Sequence, residues 1–223
     1  MEAMDNSEIL KKYFPEITDR QLAQFHSIES VYPEWNDKIN VISRKDIGNL
    51  FVHHILHSLA IAKAAGFKAG MSVLDIGTGG GFPGIPLAIM FPSVNFTLID
   101  SIGKKLRIVE AAKEAAGLEN VIIKHENAIE EKGKYNFIVS RAVMKADEMI
   151  KIALKNISRE KVDGVRNCFI FLKGGDISEE IKLLDDLKHK DRRLKNCSVW
   201  TGRVDEYFSE DYFKEKYIIK VLF

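Results

Sequence analysis

The sequence predicts an α/β fold: a doubly wound, mostly parallel sheet with a C-terminal antiparallel edge hairpin and an N-terminal helical extension. Three observations predict it. From residue 71 onward, short runs rich in Val, Ile and Phe alternate with helical stretches, the pattern of a parallel sheet covered on both faces. A loop crowded with glycine, DIGTGGGFPG (75–84), follows the first of those runs, where open α/β sheets bind ligands. The last two strand-like runs have no good helix between them, which suits an antiparallel pair at the sheet edge.

The elements follow in order. DNSE places a cap at Asp5 with Glu8 three residues on, and TDRQ repeats the spacing with Thr18 and Gln21, a capping box. Leu22, Phe25, Ile28, Val31 and Trp35 then form one apolar stripe at helical spacing. A third helix is predicted over 47–66, with Leu50, Phe51, Ile55, Leu59 and Ala62 inward and Gly66 as its stop. Strands are predicted at MSVLDIG, NFTLID, NVIIKH, YNFIVS and CFIFLKG. Helices are predicted at GIPLAIMF, at KKLRIVEAAKEAAGLEN ending at Gly117, at KADEMIKIALKNI and at DISEEIKLLDDLKHK. CSVWTG and KYIIKVLF close the chain as strands, with only the polar, aromatic RVDEYFSEDYFKE between them.

Composition sets outer bounds. With 223 residues, 46% hydrophobic and 29% charged, the chain is long enough for one substantial domain with a proper core. A net charge of +1 gives no whole-molecule field, so any nucleic-acid footprint must be a local patch. Cys168 and Cys197 have no metal-ligand spacing and read as buried free thiols of a reducing compartment. The acidic start MEAMDNSEIL does not read as a signal peptide, and no apolar run approaches the ~20 residues that span a bilayer. The expectation is a cytoplasmic protein with no membrane partner and no obligate protein partner, a monomer.

The glycine loop carries most of the functional information. Gly79, Gly81 and Gly84 satisfy GxGxxG, the dinucleotide fingerprint; Gly77, Gly79 and Gly81 satisfy GxGxG, with Asp75 just before. Asp75 favours the second register. A carboxylate at the loop entrance opposes a pyrophosphate but suits a ligand that carries an ammonium and a sulfonium, such as S-adenosylmethionine. Asp100, at the end of the second strand and ~20 residues downstream, is placed to accept hydrogen bonds from ribose hydroxyls in either reading. Pro83 and Pro86 fit poorly with the regular helix start of a dehydrogenase, and the closing strand pair also points to a methyltransferase. The expected organisation is an extension over 1–66 and an S-adenosylmethionine-binding methyltransferase domain over 67–223, packed as one unit.

Here the residues resemble a known family. DIGTGGGFPGIPLAI, LIDSIGKKLRIVE, NVIIKHENAIE, YNFIVSRAV and FLKGG, with WNDKINVIS and HHILHSL upstream, resemble the bacterial glucose-inhibited division protein B family. The resemblance implies a Rossmann-like class I methyltransferase that uses S-adenosylmethionine, releases S-adenosylhomocysteine, and methylates guanine N7 in 16S ribosomal RNA of the small subunit. It implies that Gly77, Gly79 and Gly81 line the methionine portion of the cofactor, with Phe82 close by, and that Asp100 binds the ribose. Ala128 and Ile129 would present backbone and apolar surface to the adenine. Arg141, of the motif SRA, would sit beside the methyl donor and face the RNA, with a catalytic effect. The chain departs from the family's usual pattern at His57, where Asp is common, and at Asn127–Glu130, where Arg-Ala-Glu is common.

Guanine N7 has an exposed lone pair and no proton, so its methylation needs positioning and not a general base. The base must be turned out of its stack. Lys104, Lys105, Lys188, Arg192 and Arg193 fit phosphate contacts to RNA, and fit a solvated, self-paired surface equally well. His53 and His57 stand four apart on one helix, with His54 adjacent, but the pair has no HExxH glutamate and no third ligand nearby, so no metal is expected and a solvated or RNA-facing helix surface is. The rival functions are methylation of another RNA or a small molecule, and non-catalytic RNA or nucleotide binding on the same scaffold.

Overall fold

The computed structural model describes residues 5–223; the first four residues, part of the extension predicted over 1–66 and of the N-terminal stretch read for a leader, lie outside the described residues. Helix α1 (Asn6–Tyr13) begins after Asp5, whose side chain makes no capping bond. Helix α2 (Asp19–Ile39) has the predicted capping box: Gln21 N–H donates to Thr18 Oγ1 at 3.2 Å and Thr18 N–H to Gln21 Oε1 at 2.9 Å. Its buried face is Phe25, Ile28, Tyr32 and Asn36, so the stripe continues at Tyr32 and leaves Val31 and Trp35 half-buried beside it. Asn36 clasps both the N–H and the C=O of Ile42 at 2.8 Å, which turns the chain back toward the sheet.

The third predicted helix is not uniform. A 3₁₀ turn over Ile47–Asn49 leads into a π-helical turn over Leu50–Leu56, and only His57–Ala64 is an α-helix, α3. His53 and His54, both in the π turn, bond the two oxygens of Asp46 (below). The helix stops at the extended residue Ala65, one before the predicted Gly66.

The sheet then forms as predicted. Strand β1 (Ser72–Ile76), helix α4 (Gly84–Met90), β2 (Asn95–Asp100), α5 (Gly103–Ala115), β3 (Val121–His125), β4 (Phe137–Arg141), α6 (Ala146–Ala153), β5 (Cys168–Gly174), α7 (Ser178–Lys190), β6 (Ser198–Arg203) and β7 (Lys216–Leu222) make seven strands ordered β3-β2-β1-β4-β5-β7-β6. The first five are parallel, and β7 runs antiparallel to both β5 and β6. Alternate residues feed two cores. Val73, Phe96, Leu98, Phe137, Val139 and Ile170 face α5 and the N-terminal helices, while Leu74, Ile99, Ile138, Phe169 and Phe171 face α6 and α7.

The closing pair is the predicted antiparallel edge hairpin. The last strand, β7, lies inside the sheet and β6 is the edge. Residues 204–215 cross between them in two 3₁₀ turns, and Phe208 and Phe213 there are fully buried. Phe208 packs edge-on against Tyr13 with centroids 4.8 Å apart, so this polar-looking segment anchors α1 to the sheet. Cys168 and Cys197 are buried free thiols. No helix among the described residues is long and apolar enough to cross a membrane.

Candidate active site

The glycine loop is held from below. Asp75, the fourth residue of β1, is 0% exposed, and its Oδ2 accepts from Thr78 Oγ1 at 2.6 Å and from the Gly84 N–H at 2.9 Å. Gly84 has to be glycine: a Cβ there would stand 2.7 Å from Leu98 Cγ and 2.8 Å from Asp75 Oδ2. Burial pushes the Asp75 carboxyl up to about 7, against the pull of those two hydrogen bonds. The expectation that Asp75 offers a charge to a cationic ligand is therefore corrected. It lies beneath the loop, does not line the cavity above it, and staples the loop's two ends.

Above the loop, at the C-terminal ends of β1, β2 and β4, lies a cavity of about 470 Å³. Gly77, Gly79, Phe82, Asp100, Lys105, Ala128 and Arg141 line it, together with Ile42 from the N-terminal region. Gly77, Gly79 and Gly81 have φ of 67°, 57° and 91°. A Cβ on Gly79 would meet no atom closer than 4.0 Å, so its bare backbone faces open space that a side chain would fill. Asp100 accepts from the Gly79 N–H at 2.9 Å through Oδ2 and from the Ile102 N–H at 2.8 Å through Oδ1; each oxygen keeps a lone pair for a hydroxyl. Bare backbone at Gly79, an acceptor at Asp100 and an apolar flank at Phe82 and Ala128 fit the parts of S-adenosylmethionine.

Two expected contacts fall elsewhere. Ile129 is 63% exposed and lies outside the cavity, because the Asn127 side chain turns the chain there by accepting the Ile129 N–H at 3.0 Å; Glu126 and Asn127 join Ala128 in the wall instead. Gly81 lies under the loop, where its Cβ would meet Ile85 at 2.7 Å, and it does not line the cavity. Of the two lysines at the start of α5, Lys105 lines the cavity and Lys104 points away into solvent.

Arg141, the last residue of β4, is the hub. Its Nη1 donates to the His53 carbonyl at 3.0 Å, its Nη2 lies 2.9 Å from His54 Nδ1, and its guanidinium carbon stands 5.1 Å from the centre of the Phe82 ring. His54 Nε2 lies 2.8 Å from Asp46 Oδ2, and His53 Nδ1 bonds the other oxygen of Asp46. Burial first, then the Arg141 charge, pushes His54 down to about 4. The neutral ring thus donates from Nε2–H to Asp46 and accepts from Arg141 at Nδ1. Burial tends to raise Asp46, but the hydrogen bonds from His53 and His54 outweigh it and hold its carboxyl below the usual range. The histidines are accordingly not a solvated surface: they orient the arginine. Asp46 and Tyr32, whose hydroxyl donates to the Gly80 carbonyl at 2.6 Å, were not singled out in the sequence. Neither sits in a motif, and only the fold brings them to the loop. Among the described residues no group of three His, Cys, Asp or Glu is arranged to hold a metal ion.

The basic stretch near the end of α7 is far from this site. Arg193 lines a separate cavity with Lys134, Asn167 and Phe223. Lys134 and Asn167 precede β4 and β5, so that cavity opens at the N-terminal end of the parallel strands, opposite the glycine loop. Arg193 forks onto Asp191 at 2.6 Å, and the neighbouring Arg192 and Lys188 belong to the same end of the molecule. The structure does not bring Lys188, Arg192 and Arg193 to the cavity above the glycine loop.

Comparison with known proteins agrees with this geometry. The family model GidB, described as rRNA small subunit methyltransferase G, matches residues 21–204. A Ribosomal RNA small subunit methyltransferase G from Parabacteroides distasonis is 47% identical over 213 residues, covering 96% of this chain and 88% of that protein. One of the same name from Porphyromonas gingivalis is 49% identical, covering 96% and 92%. Among solved structures, the magnesium protoporphyrin IX methyltransferase of Synechocystis with bound SAM superposes with a TM-score of 0.56 at 18% identity, over 100% of this chain and 99% of that one, a likeness of fold. A ribosomal protein L11 methylase from Lactobacillus delbrueckii does so with 0.55 at 15% identity, covering 74% and 75%. The chain belongs to the GidB family, rRNA small subunit methyltransferase G.

Proposed function

We propose that this protein transfers the methyl group of S-adenosylmethionine to N7 of a guanine in 16S ribosomal RNA. The observation that carries the reading is the cavity itself: bare glycine backbone faces Asp100 across it, and a half-buried arginine stands at its rim. S-adenosylmethionine supplies an electrophilic methyl group on a sulfonium. Bound there, it would give up its methyl carbon–sulfur bond to the N7 lone pair, and the positive charge would pass from the sulfur to the purine.

The chain's own residues supply position. Asp100 would accept the ribose hydroxyls, Gly77 and Gly79 would let the backbone approach the methionine portion, and Ala128 with Asn127 would flank the adenine. Arg141, held at both ends of its guanidinium by His53 and His54, would fix the base edge or its phosphate against the methyl donor. No residue has to remove a proton. Lys105, which of the five predicted basic residues lines the cavity, would meet a phosphate of the bound RNA. Residues 1–66 and 67–223 would work as one unit, because Tyr32, Ile42 and His54 of the first complete the site built on the second. A ribosomal RNA substrate puts the enzyme in the cytoplasm.

The test is transfer of tritium from labelled S-adenosylmethionine to small ribosomal subunits, naked ribosomal RNA and bulk protein, with N7 methylation mapped by cleavage at the modified base. Label at one guanine of 16S RNA is expected; label in protein alone, or none in RNA, would sink the reading.

A further inference from the structure

A second cavity of about 380 Å³ adjoins the first and shares His54, Arg141 and Ala142 with it. The two differ in charge. Asp100 and Glu126 stand in the wall of the first beside Lys105 and Arg141, which suits a cofactor of mixed charge. Arg141, Lys173 and Lys216 line the second, and among the described residues no carboxylate side chain does. A concave wall of one sign raises the local concentration of the opposite ion.

The three cations are not equivalent. Lys173 is committed to Glu180 at 2.9 Å and to the Met144 carbonyl at 2.6 Å. Arg141 bonds a carbonyl and an imidazole, so no carboxylate matches its charge at contact distance. The Lys216 ammonium has neither an ion pair nor a hydrogen bond among the described residues and is held by shape instead. Lys216 opens β7 directly across from Gly174 of β5. Its Nζ lies 4.7 Å from the centre of the Tyr212 ring, and a Cβ on Gly174 would stand 3.1 Å from that Nζ. Tyr212 and Gly174 both line the cavity, so the ammonium stands in its wall, and the bare glycine leaves it room. A half-buried ammonium without a counter-ion has lost hydration that a bound anion offsets.

The geometry points to the second cavity as the seat of an RNA backbone phosphate beside the target guanine, with Lys216 and Arg141 as its cations. This rests on the methyltransferase reading above. A guanine turned toward a methyl donor in the first cavity carries its phosphodiester within a nucleotide's length, and the two cavities meet at Arg141. The volume exceeds that of a phosphate group and suits sugar and phosphate together. Arg141 keeps further N–H donors beyond its bonds to His53 and His54, and Lys216 adds a point charge. Both cations act on one place: burial first, then the Arg141 and Lys216 charges, hold the His57 imidazole well below the usual histidine range. A phosphate is bound equally before and during methyl transfer, so Lys216 is a binding residue that sets KM and not kcat.

The experiment follows methyl transfer to 16S RNA, in the form that the wild type methylates, by the wild type, Lys216→Ala, Lys216→Arg and Lys216→Glu over a range of salt. Affinity for S-adenosylhomocysteine is measured by calorimetry. Lys216→Ala should raise the KM for RNA about 5–20-fold and flatten its salt dependence by about one phosphate contact. Its kcat and S-adenosylhomocysteine affinity should stay within about threefold of wild type. Lys216→Arg should restore both KM and salt dependence, and Lys216→Glu should be worse than Lys216→Ala. A second substrate locates the contact: 16S RNA ligated to carry one uncharged methylphosphonate linkage on either side of the mapped guanine. At one of the two linkages Lys216→Ala should lose no more than about twofold further, because the partner of the lysine is already gone. A wild-type KM for Lys216→Ala, a fall in kcat at unchanged KM, a loss of S-adenosylhomocysteine affinity, or additive losses at both linkages would overturn the assignment. No transfer to RNA by the wild type would instead overturn the reading on which it rests.

Discussion

Arg141 Nη2 and His54 Nδ1 lie 2.9 Å apart, and the far nitrogen of the same imidazole rests on Asp46 at 2.8 Å. A carboxylate thus selects the tautomer of a neutral histidine, and the histidine fixes the plane of an arginine shared by two cavities. Arg141→Lys keeps the charge but cannot bond the His53 carbonyl and His54 together. Its methyl-transfer rate should fall by about two orders of magnitude while circular dichroism and S-adenosylhomocysteine affinity change little. A rate within about threefold of wild type would show that charge alone suffices.

The same histidine makes stability depend on pH. His54 titrates at about 4 when folded against 6.5 ordinarily. Its contribution is fully present above 6.5 and is lost as the pH falls toward 4, because the unfolded chain takes the proton first. Asp75 runs the other way in both proteins, so the His54 contribution is read by comparison: on going from pH 7 to pH 5 in urea unfolding, His54→Gln should be spared a loss on the order of 2 kcal/mol that the wild type carries. The slope is measured as the difference between the two proteins.

Asp75 has the opposite sign. Its carboxyl titrates at about 7 when folded against 3.8 ordinarily, so its contribution is complete below 3.8 and is lost as the pH rises toward 7. Asp75→Asn keeps an oxygen for Thr78 and the Gly84 N–H. It should bind S-adenosylhomocysteine within about threefold of wild type and lose the downward slope of stability with rising pH. Asp75→Ala, which strands both donors, should cost about 2–4 kcal/mol in urea unfolding. A large loss of affinity in Asp75→Asn at full stability would restore the charge-attraction role expected from sequence.

The basic stretch provides a control. Replacing Lys188, Arg192 and Arg193 together with Ala should leave methyl transfer within about twofold, since they lie at the other end of the strands. Lys105→Ala should raise the KM for RNA and flatten its salt dependence by about one phosphate contact. Equal effects of the two changes on KM would place the RNA across both ends of the molecule.

Much of the fold was legible because its signals are local. Thr18 and Gln21 are three residues apart, β4 opens on the apolar run Phe137–Val139, and the glycine loop follows its strand directly. The site was legible where a motif touches it, at Gly77, Gly79, Phe82, Asp100, Lys105, Ala128 and Arg141. Asp75 was misread because spacing tells that a carboxylate is near a loop, not on which side of it. Ile129 was misplaced by the turn that Asn127 makes. Tyr32 bonds Gly80 from 48 residues away, and Tyr212 stacks on His53 from 159 residues away, distances over which one-dimensional patterning carries no signal. The π turn at Leu50–Leu56 left no mark in an apolar pattern that fits an ordinary helix equally well.

Strand β7 is threaded between two strands that the ribosome makes before it. Until β7 exists, β6 has no neighbour to pair with, and the edge of β5 presents five buried-type residues, Cys168 to Leu172, to whatever else is near. Vectorial synthesis therefore finishes the sheet from the inside. The polypeptide that first completes this barrier against misassociation also brings Tyr212 and Lys216 into place, so a nascent chain acquires protection from aggregation and the wall of its second cavity in a single late step.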